Sequence, residues 1–403
     1  MTRMATQAEL PIEDSANAGT RAVLIEAAFA MAGEVPLSEL TLRPLAERAG
    51  VSVATLSHHF GNKQAVLDAL IATSISSEAS FYRDWNKILP GLPIVQHDTR
   101  ARMASVVFED WLARNRAPLL VLLDLLRSPH LSKEGPQALR QWVAIAGPFW
   151  SHLLFGDAER CGPALGYVID EAAFALGSVL QPLYLALRRL CLETLVGRTA
   201  AGQSSSDKEA ELFCALVAAL APATTPPASD QLGKRARTIV EATADLLTSA
   251  VHVGITHRSV AEAAGVSPAT VVYRFGSTED LIVAGLYGVI DRFKRGMAGT
   301  GPASPSPLAD LVRATGVVAL AGARMPTLAP HALDMRRRRG ENVKAETLVE
   351  AGVPPALAAD PIFRQQFAIA LFGSRRLAYA MGGDSDAEAG RAILDGLLVS
   401  QRS

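Results

Sequence analysis

Two stretches 215 residues apart carry nearly the same 21-residue segment, and a chain that repeats itself at that distance folds as two related units. Thr41 to Gly61 reads TLRPLAERAGVSVATLSHHFG and Thr256 to Gly276 reads THRSVAEAAGVSPATVVYRFG, matching without a gap at about twelve positions. The same offset aligns Ile25-Glu26-Ala27 with Val240-Glu241-Ala242. Low-complexity helices do not produce such a match, and two copies at half a chain length exclude a solenoid. The length of 403 residues, at about 150 per domain, allows two or three folded units.

Each copy reads as a series of helices. Leu24, Ala27, Ala28 and Met31 make one apolar stripe, answered by Ile239, Ala242, Thr243 and Leu246, both at helical spacing. Thr41 and Thr256 stand at N-cap positions, and Gly50 and Gly265 close the short helices that follow. Ser52 and Ser267 cap a third helix, with Pro268 at its first position. Asn62 and Ser277 then open a longer fourth helix, with Glu279 and Asp280 complementing its dipole. Aromatic residues are 6% and hydrophobic residues 49% of the chain, and Val, Ile, Thr and Tyr form no alternating runs, so an all-α globular fold is predicted.

A short helix, a Gly turn and a second short helix form the helix-turn-helix, whose second helix enters the DNA major groove. The recognition helices are predicted at about Val53 to His59 and Pro268 to Arg274. With Thr, Ala-Gly-Val-Ser, Ala-Thr, Phe and a capped long helix at fixed spacing, both copies resemble the DNA-binding domain of the TetR (tetracycline repressor) family over about fifty residues each. The resemblance implies phosphate contacts at Thr41, Thr55, His59 and Lys63 in the first copy, and at Thr256, Thr270, Arg274 and Thr278 in the second. Val53, Ser57, His58, Pro268, Val272 and Tyr273 are candidates for base edges, and Arg43 and Arg258 for the backbone. The family's usual Gly in helix three is Ala54 or Ala269 here, its Tyr is Ser57 or Val272, and its Lys is replaced by Thr278 in the second copy. Lys234, Arg235 and Arg237 are candidates to restore charge there. Phe60, Phe275, Val51 and Val266 are expected in the core. A net charge of -1 means that any DNA site is local.

The family resemblance also implies a helical effector-binding and dimerising region after each motif, with a usual subunit about half as long as this chain. One polypeptide is therefore expected to form a pseudo-dimer, Asp170–Val196 plus Lys208–Leu220 packing on Phe363–Met381 plus Ala387–Val399. The expected divisions are a flexible arm (1–19), a first DNA-binding domain (20–77), a first regulatory domain (78–221), a Pro-rich linker (222–233, with PATTPPASD at Pro222 to Asp230), a second DNA-binding domain (234–292) and a shorter regulatory domain (293–403). Trp111, Trp142, Phe149, Trp150, His152 and Tyr167 are candidate effector contacts. Arg336 to Arg339, beside Glu341, reads as a solvated basic run.

Cys161, Cys191 and Cys214 are an odd number without metal or disulfide spacing, which fits reduced core thiols in a cytoplasmic protein, associated with the nucleoid when bound to DNA. His58 and His59 point about 100° apart on a helix and do not chelate one metal. No metal, cofactor, membrane span or catalytic motif is indicated. The expected function is a sequence-specific transcriptional regulator, a repressor released from a double-stranded DNA operator by a small-molecule effector. An effector-independent architectural DNA-binding protein is the alternative.

Overall fold

A computed structural model of the chain describes residues 12–92, 97–178, 181–201, 204–222, 231–249, 254–300, 306–383 and 386–398. Helices account for every regular element among them, and no strand occurs there. The first half opens with α1 (Ile12–Ala32), α2 (Leu42–Arg48), α3 (Val53–Phe60) and α4 (Lys63–Ile88). Leu24, Ala27, Ala28 and Met31 form the buried stripe of α1, as their spacing predicts. This helix begins at Ile12, inside the segment expected as an arm; acidic residue types at its start suit a helix N-terminus.

The boundary expected at residue 77 falls within α4. That helix continues because its later turns carry Phe81 and Tyr82 against Phe149, with ring centroids 6.3 and 4.8 Å apart. The helices that follow are α5 (His97–Arg114), α6 (Arg116–Arg127), α7 (Gly135–Phe155), α8 (Cys161–Ala175), α9 (Pro182–Ala201) and α10 (Asp207–Ala219). Every residue of α6 from Leu119 to Leu126 is buried, which makes it a central helix, in contact with α1, α4 and α7. The expected Asp170–Val196 run is divided: α8 ends at Ala175, and α9 starts with Pro182, whose missing N–H suits a first helical position.

The second half comprises α11 (Lys234–Thr248), α12 (His257–Ala264), α13 (Pro268–Phe275), α14 (Thr278–Met297), α15 (Pro307–Arg324), α16 (Ala329–Arg337), α17 (Ala345–Glu350), α18 (Pro355–Ala359), α19 (Pro361–Ala380) and α20 (Asp386–Leu398). The boundary expected at 292 likewise lies inside α14. Most of the expected linker, residues 223–230, lies outside the described residues, as do residues 1–11 of the expected arm.

The halves meet where α8 crosses α19. A Cβ on Gly166 would sit 2.4 Å from the Ala370 carbonyl oxygen, and one on Gly373 would sit 1.8 Å from that of Gly166, so the two backbones touch only because both residues lack a side chain. Further contacts of α20 with α8, and of α9 and α10 with α19, place the expected partner segments together.

Buried charge reinforces this junction. The Glu171 carboxylate on α8 lies 2.6 Å from Arg336 of α16, and Asp170 is shared by Arg339 and Arg376, each at 3.0 Å. On α6, Asp124 pairs with Arg324 of α15 at 2.8 Å. These pairs correct the reading of Arg336 to Arg339 as a solvated run. Arg336 in the last turn of α16 and Arg339 in the turn that follows, whose N–H donates to the Arg336 carbonyl at 3.2 Å, are buried because both reach carboxylates of the other half; Arg337 and Arg338 pair with Asp334 nearer the surface. The cysteines also divide: Cys191 is buried, Cys161 half-buried and Cys214 exposed, all as free thiols.

Candidate nucleic-acid interface

Local chemistry sets both modules. Gly50 and Gly265 take φ of 68° and 63°, the left-handed region that closes a helix and that side chains rarely adopt. Ser52 then accepts from the Thr55 N–H at 3.0 Å, and Ser267 from that of Thr270 at 3.2 Å, fixing where each recognition helix begins. In both modules the Thr hydroxyl lies 2.9 Å from the capping Ser hydroxyl. Asn62 caps α4 through the Ala65 N–H at 3.0 Å, and Ser277 forms a reciprocal capping box with Asp280 on α14.

The two modules differ in detail. Thr256 caps α12 by accepting from the Ser259 N–H at 3.0 Å, whereas Thr41 occupies the equivalent position without a side-chain cap. Phe60 is buried, and Val51, Val266 and Phe275 are partly buried, packed against core. The second module holds its own small cluster of Ile239, Val260, Ala261, Val271 and Leu281, while the first merges with the main core.

On α3, Val53 and His58 are exposed, and Thr55, Ser57 and His59 are half-buried. On α13, Pro268, Val272, Tyr273 and Arg274 are exposed and Thr270 is half-buried; Tyr273 is 85% exposed, which leaves its whole ring available to a partner. Arg43 and Arg258 are also exposed, and Arg43 pairs with Glu47 one turn on at 3.1 Å. Lys234, Arg235 and Arg237 lie exposed at the start of α11. Lys63 is placed differently from a free phosphate anchor: its ammonium donates to the Ser38 carbonyl at 2.8 Å, and partial burial holds its pKa below the usual lysine range.

Sequence reasoning missed Arg21. Its guanidinium lies 4.5 Å over the Phe60 ring and donates to the His59 carbonyl at 3.4 Å, placing an exposed cation against the end of the recognition helix. The only signal was an Arg on helix one at a distance set by the fold.

Four of the six candidate effector contacts, Trp111, Trp142, Phe149 and Trp150, belong to one packed core. Trp111 and Trp142 donate to Glu78 at 2.9 Å each, and Trp150 donates to the Tyr82 hydroxyl at 3.3 Å. Glu78 also accepts from Tyr82 at 2.6 Å and Asn115 at 2.7 Å. Burial raises the Glu78 pKa, against the pull of these four donors. Phe149 completes the cluster, Tyr167 is buried elsewhere on α8, and His152 is exposed. None of the six lines the cavity of about 590 Å³ found between the two helix-turn-helix modules.

Paired short helices with capped, exposed recognition faces define a helix-turn-helix DNA-binding protein. Residues 24–70 match the family described as bacterial regulatory proteins, tetR family. The HTH-type transcriptional regulator BetI of Cronobacter sakazakii is 25% identical to the chain over 203 residues, 47% of this chain and 95% of that protein. Residues 24–70 thus carry a helix-turn-helix of the TetR type, and about half of the chain is similar to a regulator of transcription. Among the described residues no cluster of His, Cys, Asp or Glu fits a metal ion, and no helix is long and apolar enough to cross a membrane.

Proposed function

We propose that this chain is a sequence-specific repressor that works as an intramolecular pseudo-dimer in the bacterial cytoplasm, reading one operator with α3 and α13 and leaving it when a small molecule binds. The observation that carries the reading is that α1 to α4 and α11 to α14 repeat the same order with matching Ser caps, while the halves bearing them join through α8 and α19. BetI aligns over nearly its whole length with less than half of this chain, which leaves room for a second unit. Thr41, Thr55, His59 and Lys63, with Thr256, Thr270, Arg274 and Thr278, are assigned to phosphates, and the exposed faces of α3 and α13 to bases. Effector release follows if a ligand favours a spacing of the modules that no longer matches successive major grooves.

Because the exposed residues of VATLSHH and PATVVYR differ, the operator is expected to be an imperfect palindrome with half-site centres about 10 bp apart. Selection of bound duplexes from a random pool tests this. A selected motif with perfect dyad symmetry would contradict two unlike readers.

A further inference from the structure

The cavity of about 590 Å³ is bounded on one side by the Glu34–Glu39 segment of the first module and on the other by Gly254–Thr256 and the start of α14 in the second. Its floor comes from the end of α6, from α15 and from the end of α19. A volume in this range suits a drug-sized molecule. Most of the wall is apolar, with Leu246, Ile255, Val312, Val317 and Leu320 among its residues.

Charge in the wall is uneven. Arg376 lines the cavity with its side chain 11% exposed, and its Nε has no hydrogen-bond acceptor among the described residues. Its counter-ion, Asp170, is divided between Arg376 and Arg339, so two guanidiniums face one carboxylate and one positive charge stays uncompensated. Gly316 on α15 lies beside this head, within van der Waals reach of Arg376 Nε. Elsewhere in the wall, Asp124 pairs with Arg324 at 2.8 Å and with Arg127 at 4.0 Å, Glu34 pairs with Arg48 and Arg313 with Asp310, and Glu39 and Glu279 add carboxylates at the module ends of the cavity, so the under-compensated cation is confined to the Arg376 end. A buried, under-compensated cation beside an apolar volume is complementary to an anion on an apolar body.

We propose that this inter-module cavity is the effector site and that it takes an apolar molecule bearing one carboxylate, anchored by Arg376. The assignment rests on the repressor reading above and gives that reading its physical link. Thr256 and Thr278, both assigned to phosphates, lie in the cavity wall. On the opposite wall, Glu39 lines the cavity, and the residue before it, Ser38, accepts from Lys63 through its carbonyl. A molecule seated between these walls sets the separation of the modules and shifts phosphate-facing groups on both.

The test is calorimetric titration of the full chain with dodecanoate, below its micelle concentration, alongside dodecyltrimethylammonium. One dodecanoate per chain is expected, with the cation bound at least tenfold more weakly. Arg376→Met should weaken dodecanoate at least tenfold. Ala321→Phe, which fills the cavity without touching the Asp170 cluster, should abolish binding, and it keeps the test decisive if Arg376→Met does not fold. No dodecanoate binding, equal binding of the two amphiphiles, or full affinity in the Ala321→Phe variant would overturn the site. In a parallel anisotropy titration, dodecanoate should weaken operator binding at least tenfold, and an unchanged operator affinity with the cavity filled would overturn the effector role. A chain that binds no selected duplex even without dodecanoate refutes the repressor reading instead, since the calorimetry is performed without DNA.

Discussion

Arg336→Ala is expected to destabilise the fold by about 3–5 kcal/mol, the cost typical of stranding one member of a buried ion pair. Arg336 donates through Nε and Nη2 to Glu171 at 2.9 and 2.6 Å and through Nη1 to Gln365 at 2.8 Å, and neither partner of the ion pair is exposed beyond 1%. Burial opposes the Arg336 charge, yet Glu171 beside it holds the guanidinium well above its ordinary pKa. Without that cation, Glu171 retains the Tyr184 hydroxyl at 2.7 Å as a neutral donor, which does not offset a buried negative charge. The double change Arg336→Met with Glu171→Leu should recover most of the loss, because apolar side chains of similar size replace a buried pair at little cost. Urea unfolding measures both. A loss under about 1 kcal/mol for Arg336→Ala would show that the pair does not hold the halves together.

Tyr273→Glu together with Arg274→Glu is expected to reduce operator affinity by about 10²–10⁴-fold, the factor that joining two binding modules in one chain contributes. Both side chains are exposed, so the changes leave the fold intact and act on the DNA-facing surface of α13 alone. Two carboxylates there meet the phosphate backbone with like charge, and the first module must bind unaided. Anisotropy at one fixed salt concentration is the appropriate readout, since affinity for DNA varies steeply with salt. An affinity within a factor of about three of the parent protein would mean that α13 does not sit on the operator.

The helix-turn-helix modules were legible because their signals are local. A Ser three residues before a Thr, a Gly after a short amphipathic helix and a Pro after a cap each act within one turn, and the structure places the boundaries of α3 and α13 within a residue of those expected. The α8 and α19 junction was legible in outline from long apolar helices, but the crossing at Gly166 and Gly373 was not, since neither glycine interrupts a helix. Arg336 to Arg339 misled because a charge run looks solvated until its partners are known, and Asp170 and Glu171 lie more than 160 residues away in sequence. Asp124 breaks an apolar run in sequence, yet it is buried and accepts from Leu37 N–H and from Arg324. Of the six candidate effector contacts, Trp111, Trp142, Phe149 and Trp150 lie together while His152 and Tyr167 do not; sequence held no sign that Glu78 gathers the indole N–H groups of Trp111 and Trp142. The cavity drew its wall from several helices of both halves, a juxtaposition with no local signature.

In the proposed pseudo-dimer one chain supplies both readers of one operator. Sedimentation of the protein with a minimal duplex carrying the selected site, at protein concentrations well below and well above the operator concentration, measures this stoichiometry. One chain of 42.6 kDa per duplex at every concentration that gives binding is the expected result. A complex that always requires two chains, and that dissociates on dilution with second-order dependence on protein, would contradict it.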